Sequence, residues 1–352
     1  MNRSASHRLH RRRCRLTATK LLPCALALVG VFSAVSLSTV AESSATDNAA
    51  LRDSLAHAAL LRDRAVSGSR AMAIVTSLTT EVGPRLAGSA AEARAREWAV
   101  KRLAVLGLEP IRIMDFEMSA WQRHSEQAEV IMPFPQPLAV TALGGSVSTP
   151  AGGLTGEVVL FDSLEALRAA PPEEVAGKIV YVGHTMQRTQ DGSSYGYFNP
   201  VRTAGPSIAA GKGALAYLLR SIGTDSHRLP HTGSLRYTEH APQIPALALS
   251  NPDADQVERI LADGGGLVVK LLVETSLIPT AQSANVIAEI RGHAAPEEVV
   301  VIGAHLDSWD LGTGAVDDGA GVGITMAAMA LIKEAGLVPR RTIRLVLWGA
   351  EE

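Results

Sequence analysis

Residues 303–322 read GAHLDSWDLGTGAVDDGAGV and place one histidine, four aspartates and five glycines between two apolar runs. A second acidic pair, Glu351-Glu352, follows the apolar stretch LVLWGA. One imidazole and several carboxylates form a typical ligand set for zinc. Grouped carboxylates repel one another unless a cation lies among them, and a pair of metal ions suits hydrolysis. These residue types therefore predict a metal-dependent hydrolytic site.

The elements around these residues would bring them together. Residues 297–305 and 340–350 read as apolar strands, and DGAGVGITMAAMALIKEAG between them reads as a helix that is buried nearly all round. A strand–helix–strand unit of this kind belongs to a parallel sheet, and ligands collect beyond the carboxyl ends of its strands. His305, Asp317 and the Glu351-Glu352 pair all fall at that edge. We also expect an unpaired sheet edge near residues 341–350.

Each feature also has a purely structural explanation. Asp317-Asp318 could cap the helix and complement its dipole, a single His-x-Asp pattern is common by chance, and Glu351-Glu352 could form a solvated turn. Because all three features fall at one sheet edge, the metal site is the better explanation.

The first 41 residues differ in composition from the rest of the chain. They contain six arginines, one lysine and no acidic residue, and they include an apolar run over residues 21–37 followed by small residues. This pattern predicts a secretory signal peptide cleaved after Ala41, and hence a secreted or periplasmic protein. The alternative is a membrane anchor, but the run is short for a span and contains Pro23.

Loss of this leader would change the charge and remove the thiols. Seven of the 33 basic residues would go, which leaves 26 against 35 acidic residues. A negative balance of this size argues against nucleic acid or an anionic membrane as a partner. Cys14 and Cys24 would go as well, so no disulfide or thiol site is expected in the mature chain.

The sequence after the leader contains predicted helices first, then strands, and then alternating short strands and helices. Residues 48–108 read as helices, with Ser89 as an N-cap, and strand-like pieces follow at 111–118 and 128–132. A stretch rich in proline and glycine then precedes residues 154–275, where short apolar strands alternate with short helices. Within this module, QRTQDGSSYGYFN reads as a mobile loop.

With RTIRLVLWGAEE after it, GAHLDSWDLGTGAVDDGAG resembles the zinc metallopeptidases of family M28. VGPRLAGSAAEARAREWAVKRLAVLGLE resembles the opening helices of that family, and IAAGKGALAYLLRS and PHTGSLRY resemble its inserted protease-associated (PA) module. The resemblance implies an α/β zinc-exopeptidase (phosphorylase/hydrolase-like) fold, a mixed sheet with helices on both faces interrupted by a β-rich α/β PA domain. The implied division is a signal peptide (1–41), the first part of the peptidase domain (42–149), the PA-like insertion (150–275) and the start of the catalytic core (276–352).

The resemblance also implies a role for each site residue. His305 would bind one zinc ion, Asp317 would bridge two, and Glu352 would bind the second, giving two Zn²⁺ per complete site. Glu351 would be the general base that takes a proton from the attacking water. Asp307 would act in catalysis by orienting His305.

His231 in PHTGSLRY is a weaker candidate for substrate binding. A loop histidine satisfied by local hydrogen bonds is the alternative explanation for it. The family pattern also has a further Asp and a further His ligand after the glutamate pair. We therefore expect this sequence to be a fragment of a longer protein, inactive by itself.

The predicted function is a secreted dinuclear zinc exopeptidase that cleaves dipeptides or the N-terminal residues of short peptides. Its partner would be a small peptide substrate, and the resemblance implies a possible homodimer. Two other classes remain open: an acyl transferase of the glutaminyl-cyclase type, which uses one zinc, and a binding protein without catalysis.

Overall fold

The computed structural model describes residue 49 and residues 51–352. The predicted signal peptide, residues 1–41, lies outside the described residues. The chain divides into two units, Met1–Arg62 and Asp63–Glu352. Residues 51–67 form helix α1, most of which belongs to the first unit. All elements below belong to the second unit.

Helices α2 (Ala71–Glu81) and α3 (Ala90–Val105) open the second unit. The predicted cap of α3 is confirmed, because Ser89 is extended and its side chain accepts a hydrogen bond from the Glu92 amide. Gly107 follows the helix with a φ of 69°, a conformation that suits glycine and ends the helix.

A long two-stranded ribbon joins the two parts of the sheet. Strands β1 (Ile111–Met132) and β8 (Val268–Ile290) pair antiparallel from Ile111↔Ala288 to Met132↔Val268. The two strand pieces predicted at 111–118 and 128–132 are therefore one strand. Three register shifts along the ribbon interrupt the simple alternation by which the sequence would reveal a single long strand.

A second part of the sheet lies between β1 and β8 in the sequence. Its strands run in the order β4–β5–β6–β7–β3, of which the first four are parallel, and β4 pairs with β8. The strands are β3 (Val140–Ala142), β4 (Leu154–Phe161), β5 (Ile179–Val182), β6 (Ala216–Arg220) and β7 (Ala246–Leu249), and β2 (Gln136–Leu138) pairs with β1. The helices are α4 (Leu164–Ala169), α5 (Pro172–Val175), α6 (Ser193–Thr203), α7 (Gly205–Gly211) and α8 (Asn251–Ala262).

Helices cover both faces of this part of the sheet. Val180 and Val182 of β5 pack into a core with α4, α6 and α7, whereas Ile179 and Tyr181 pack on the other side with α8. A strand buried on both faces reads as a continuous apolar run, which is why its residues were easy to identify. The domain boundaries at 150 and 275 stay a prediction.

The predicted mobile loop over QRTQDGSSYGYFN is wrong in its second half. Helix α6 begins at Ser193, and Ser194 is buried. The Ser194 Oγ accepts a hydrogen bond from the Gln187 amide at 3.0 Å, which ties the preceding segment to the helix.

The predicted strand–helix–strand unit is confirmed. Strands β9 (Ala295–His305) and β10 (Arg341–Trp348) are parallel, and helix α9 (Gly321–Glu334) connects them. The predicted unpaired edge near residues 341–350 is wrong, because β10 also pairs antiparallel with β8 on its other side. Among the described strands, β9 is the one at this edge.

Helices α2, α3 and α9 share one core with β8, β9 and β10, built from Leu78, Trp98, Met326, Leu345 and their neighbours. On the opposite face, Val301 is 53% and Trp348 is 42% exposed. The sequence predicts helices on both faces of the sheet. Within residues 51–352, helices cover only one face of this part of the sheet.

Helix α9 was expected to be buried nearly all round, but Ile324 on its outer side is 60% exposed. By length and composition, Ala315–Glu334 is the one described segment long and apolar enough to cross a membrane. Helix α9 packs in the core shared with α2 and β10. A core helix can be as long and as apolar as a membrane span, and the packing of α9 is that of a core helix.

Candidate metal centre

The structure brings three predicted metal ligands together at the carboxyl edge of the sheet. His305 is the last residue of β9 and pairs with Trp348 of β10, so Glu352 follows at the same level. Asp317 lies just before α9. One ligand atom from each of His305, Asp317 and Glu352 lies within 4.8 Å of the others, and His305 Nε2 is 3.0 Å from Asp317 Oδ1.

The two adjacent aspartates have different environments. They lie in a π-helical turn, Ala315–Ala320, in which both depart from helical dihedral angles and are joined by a cis peptide bond. Asp318 accepts hydrogen bonds from the Gly321 amide at 3.0 Å and the His305 amide at 3.2 Å. The side chain of Asp317 is 78% exposed. The capping explanation therefore fits Asp318, whereas the exposed Asp317 contacts the His305 ring and belongs to the converging ligand atoms.

Asp307 is fully buried beneath the site. Its Oδ1 lies 3.4 Å from His305 Nδ1. The same carboxylate accepts hydrogen bonds from the amides of Glu351, at 3.0 and 3.1 Å, and Glu352, at 3.1 Å. One buried carboxylate thus contacts the imidazole and also fixes the backbone that carries both glutamates, a second contact that the sequence did not predict.

The electrostatics of the site favour a cation. Burial by itself lowers the pKa of His305. Hydrogen bonds to Asp307 and Asp317, together with the charges of Asp307 and Asp318, outweigh burial and raise the pKa to about 9. Burial raises the pKa of Glu352 to about 7, and the charge of Asp317 acts in the same direction. The buried Glu352 Oε1 also has no hydrogen-bond partner among the described residues.

The donor set therefore fits zinc. It offers one imidazole nitrogen and two carboxylates that converge on one point, with a further carboxylate behind the imidazole. The carboxyl group of Glu351 is exposed next to this point.

His231 lies between β1 and β8 in the sequence, not among the converging ligands. Its Nε2 is 3.0 Å from the Tyr195 hydroxyl, which accepts a hydrogen bond from Arg202 Nη1 at 2.7 Å. Desolvation and the charge of Arg202 lower the pKa of His231 to about 4, while the charges of Asp225 and Asp317 oppose them. His231 thus has local hydrogen-bond partners, as the alternative explanation expects. The negative charge of Asp317, a candidate metal ligand, also affects its pKa.

The sequence does not predict two arginines near the site, the buried Arg85 and the partly buried Arg123. Arg123 Nε lies 2.8 Å from Asp310 Oδ2, and Arg123 Nη1 donates to the Ala142 carbonyl at 2.7 Å. Arg85, which is fully buried, contacts the same stretch of chain as Asp310. Most partners of these side chains are distant in sequence or are main-chain carbonyls, which leave no sequence signal.

Residues 285–352 match the model of "Peptidase family M28". Carboxypeptidase Q from Bos taurus is 39% identical over 275 residues, which cover 78% of this chain and 57% of the relative. Carboxypeptidase Q from Homo sapiens is 38% identical over the same shares. The chain thus spans little more than half the length of the curated relatives it matches.

Two solved structures extend the comparison. A peptidase M28 precursor from Shewanella amazonensis is 46% identical, with a TM-score of 0.81 over 83% of this chain and 66% of that one. The zinc aminopeptidase BSAP from Bacillus subtilis has a TM-score of 0.58 at 20% identity, over 80% of this chain and 61% of that one. The second likeness supports the fold alone.

Proposed function

The chain belongs to peptidase family M28, and from that premise we propose that the whole protein is a dinuclear zinc exopeptidase. Its substrates would be dipeptides or the N-terminal residues of short peptides. The observation that carries this proposal is the convergence of His305, Asp317 and Glu352 within 4.8 Å at one sheet edge. The choice of zinc rests on the donor set, one imidazole nitrogen and carboxylate oxygens that converge.

The proposed roles follow from the environment of each side chain. When bound, zinc would supply a Lewis acid that polarises the scissile carbonyl and makes water more acidic. His305 and Glu352 would each hold one ion, and the exposed carboxylate of Asp317 would lie between the two. Asp307 would keep the His305 ring oriented through its contact with Nδ1.

Glu351 is the proposed general base. Its carboxylate is exposed beside the ligands, while its amide is fixed by Asp307, so the side chain can reach a water molecule from a fixed backbone. It would take the proton of the attacking water and then deliver it to the leaving amine.

We assign a substrate-facing role to His231. Its ring is neutral near pH 7, because its pKa is about 4, and it can therefore both donate and accept a hydrogen bond. The residues that carry it belong to the module between β1 and β8, which we propose to be a PA-like domain. Secretion or a periplasmic location, and a homodimer, stay predictions of the sequence.

A purified full-length protein and a panel of unblocked dipeptides would test the proposal. We expect hydrolysis that is lost on chelation and restored by Zn²⁺. A panel peptide with an N-terminal glutamine would report cyclisation, the acyl-transfer alternative. Hydrolysis that survives complete removal of metal, or cyclisation without hydrolysis, would refute the proposal.

A further inference from the structure

A buried guanidinium lies under the stretch of chain that separates two of the proposed zinc ligands. Arg85 precedes α3 in the sequence and has no exposed surface. Its partners in the second half of the chain lie within residues 306–314, here called the 306–314 loop. This loop follows His305 directly and leads to Asp317.

The Arg85 side chain reaches both ends of the 306–314 loop. At the first end, Nε donates to the Leu306 carbonyl at 2.5 Å. At the second end, Nη1 donates to the Thr313 carbonyl at 2.6 Å and Nη2 to the Gly314 carbonyl at 2.9 Å. One rigid group therefore sets the distance between the two ends of the loop.

The backbone of Arg85 adds two contacts to the interior of the loop. Its amide donates to Ser308 Oγ at 3.3 Å, and its carbonyl accepts from the Ser308 amide at 3.2 Å. The Gly314 carbonyl also accepts from the Gly319 amide at 3.0 Å, so it links the guanidinium to the turn that carries Asp317.

Gly314 lies in close contact with the Arg85 side chain. Its φ is 57°, a left-handed conformation that favours glycine. A Cβ there would lie 2.8 Å from Arg85 Nη1 and 2.4 Å from Ser308 Cβ. The loop thus lies directly against the guanidinium, with no space for even a methyl group.

The charge of Arg85 matters as well as its shape. Burial lowers the pKa of Arg85 to about 10, and the charges of Asp307, Asp318 and Glu352 act against that decrease. The group therefore remains positive at neutral pH beneath an acidic cluster. Lysine could supply the charge but not the planar set of donors that reaches separate carbonyls at once.

We propose that Arg85 is a positioning residue for zinc binding: it fixes the 306–314 loop so that His305 and Asp317 meet at the distance a metal requires. This inference rests on the proposed zinc site. Loss of a group that orients metal ligands typically weakens metal binding about 10–100-fold. We expect that range for Arg85→Gln, and a smaller loss for Arg85→Lys.

The test uses full-length protein with the variants Arg85→Gln, Arg85→Lys and Arg220→Gln. Arg220 is a matched control, because it is also buried but pairs with Asp255 and Glu258 in the inserted module. Zn²⁺ affinity is measured by competition with a chromophoric chelator, and amide hydrogen exchange is measured on the metal-free proteins. Both Arg85 variants should exchange faster over residues 306–320, and Arg220→Gln should keep native zinc affinity while losing thermal stability.

Three results would overturn the inference. The first is an Arg85→Gln protein that folds and binds Zn²⁺ within about threefold of the native affinity. The second is an equal loss of zinc in Arg220→Gln, which would show a general effect of instability. The third applies if Arg85→Gln does not fold: Arg85→Lys then binds Zn²⁺ with native affinity and shows native amide exchange over residues 306–320. Absence of peptidase activity in the native protein would instead refute the proposed function, and the exchange data would still decide the role of Arg85.

Discussion

Glu351 and Glu352 are neighbours in sequence with different environments. The backbone amides of both are fixed by Asp307. The Glu351 side chain is exposed, whereas one buried oxygen of Glu352 has no hydrogen-bond partner in the described part of the chain. The pair can therefore divide two tasks, proton transfer and metal binding.

This difference predicts separable effects of two matched substitutions. Glu351→Gln should lower kcat by about 10²–10⁴ and leave the zinc content near native, because general-base catalysis is worth that much. Glu352→Gln should reduce the zinc content itself. Metal analysis alongside steady-state kinetics on full-length protein checks both, and an equal loss of zinc in the two variants would contradict the assignment.

Glu92 is an acidic residue of α3 that has no exposed surface. Burial raises its pKa to about 7 from an ordinary 4.5, against the opposing charge of Arg96 at 3.3 Å. A raised pKa in the folded state means that its contribution to stability is complete below pH 4.5 and is lost as the pH rises through 7.

Replacing Glu92 by glutamine should remove this pH dependence. The stability of Glu92→Gln relative to the native protein should improve by roughly 3 kcal/mol between pH 4.5 and pH 8, since one pKa unit corresponds to about 1.4 kcal/mol. Urea unfolding of the metal-free proteins at several pH values measures the difference. Glu97→Gln on the exposed side of α3 is the control, and a difference that does not change with pH would contradict the prediction.

The sequence contains enough information to find the converging residues but not their supports. His305, Asp317 and the glutamate pair follow from residue type and the edge rule for parallel strands. Arg85 and Arg123 lie more than 180 residues from their partners in the 306–314 loop, and Arg85 bonds to main-chain carbonyls. Such contacts depend on tertiary placement, so no local pattern reveals them.

At the scale of elements, the 306–314 loop also packs against the chain between β3 and β4. A Cβ on Gly144 would lie 2.1 Å from the ring of Trp309. The Gly144 amide donates a hydrogen bond to the Gly233 carbonyl at 3.0 Å, which holds Gly144 in place. The indole therefore lies directly on backbone, and the two parts of the chain meet without a spacer.

Gly144→Ala should displace Trp309 and destabilise the protein by about 1–3 kcal/mol, the usual cost of overpacking. Gly211→Ala is the matched control, because no atom lies within 4 Å of its added methyl group and the position is helical, so it should be neutral or slightly stabilising. Thermal unfolding compares them. Equal melting temperatures for the two variants would show that the Trp309 contact is not tight in solution.

Elements that are buried on both faces were the easiest to predict, and those whose pattern is broken were the hardest. Strands β5, β6 and β7 read as apolar runs, and α9 reads as a long segment that is apolar nearly all round and ends at Gly336. The sequence predicts β1 as two separate pieces, because bulges shift the register and interrupt the alternation of its residues. Helix α6 was missed because its first turns are polar and aromatic, and its order depends on a core contact of Phe198 that the sequence does not show.

At the scale of the whole molecule, a buried histidine limits stability in acid. His184 is 5% exposed and stacks on Phe198 with ring centroids 4.7 Å apart. Burial, aided by the charge of Arg220, lowers its pKa to about 4 from an ordinary 6.5. A lowered pKa in the folded state means that its contribution is complete above pH 6.5 and is lost as the pH falls through 4.

His184→Phe should therefore resist acid better than the native protein does. Relative to pH 7, the native protein should lose roughly 3 kcal/mol more than the variant by pH 4, while the stacking on Phe198 is retained. Denaturant unfolding at both pH values measures this. His227→Gln, at a largely exposed histidine, is the control. A parallel decline of the native protein and His184→Phe would contradict the prediction.

The ribbon of β1 and β8 has a consequence for the history of the chain. Met118 and Ala281 are partners across this ribbon, and antiparallel partners lie only about 5 Å apart. A tight hairpin could join them directly. Everything from residue 119 to 280 could then be gained, lost or exchanged as one cassette, while the strands that end at His305 and Trp348 keep their order.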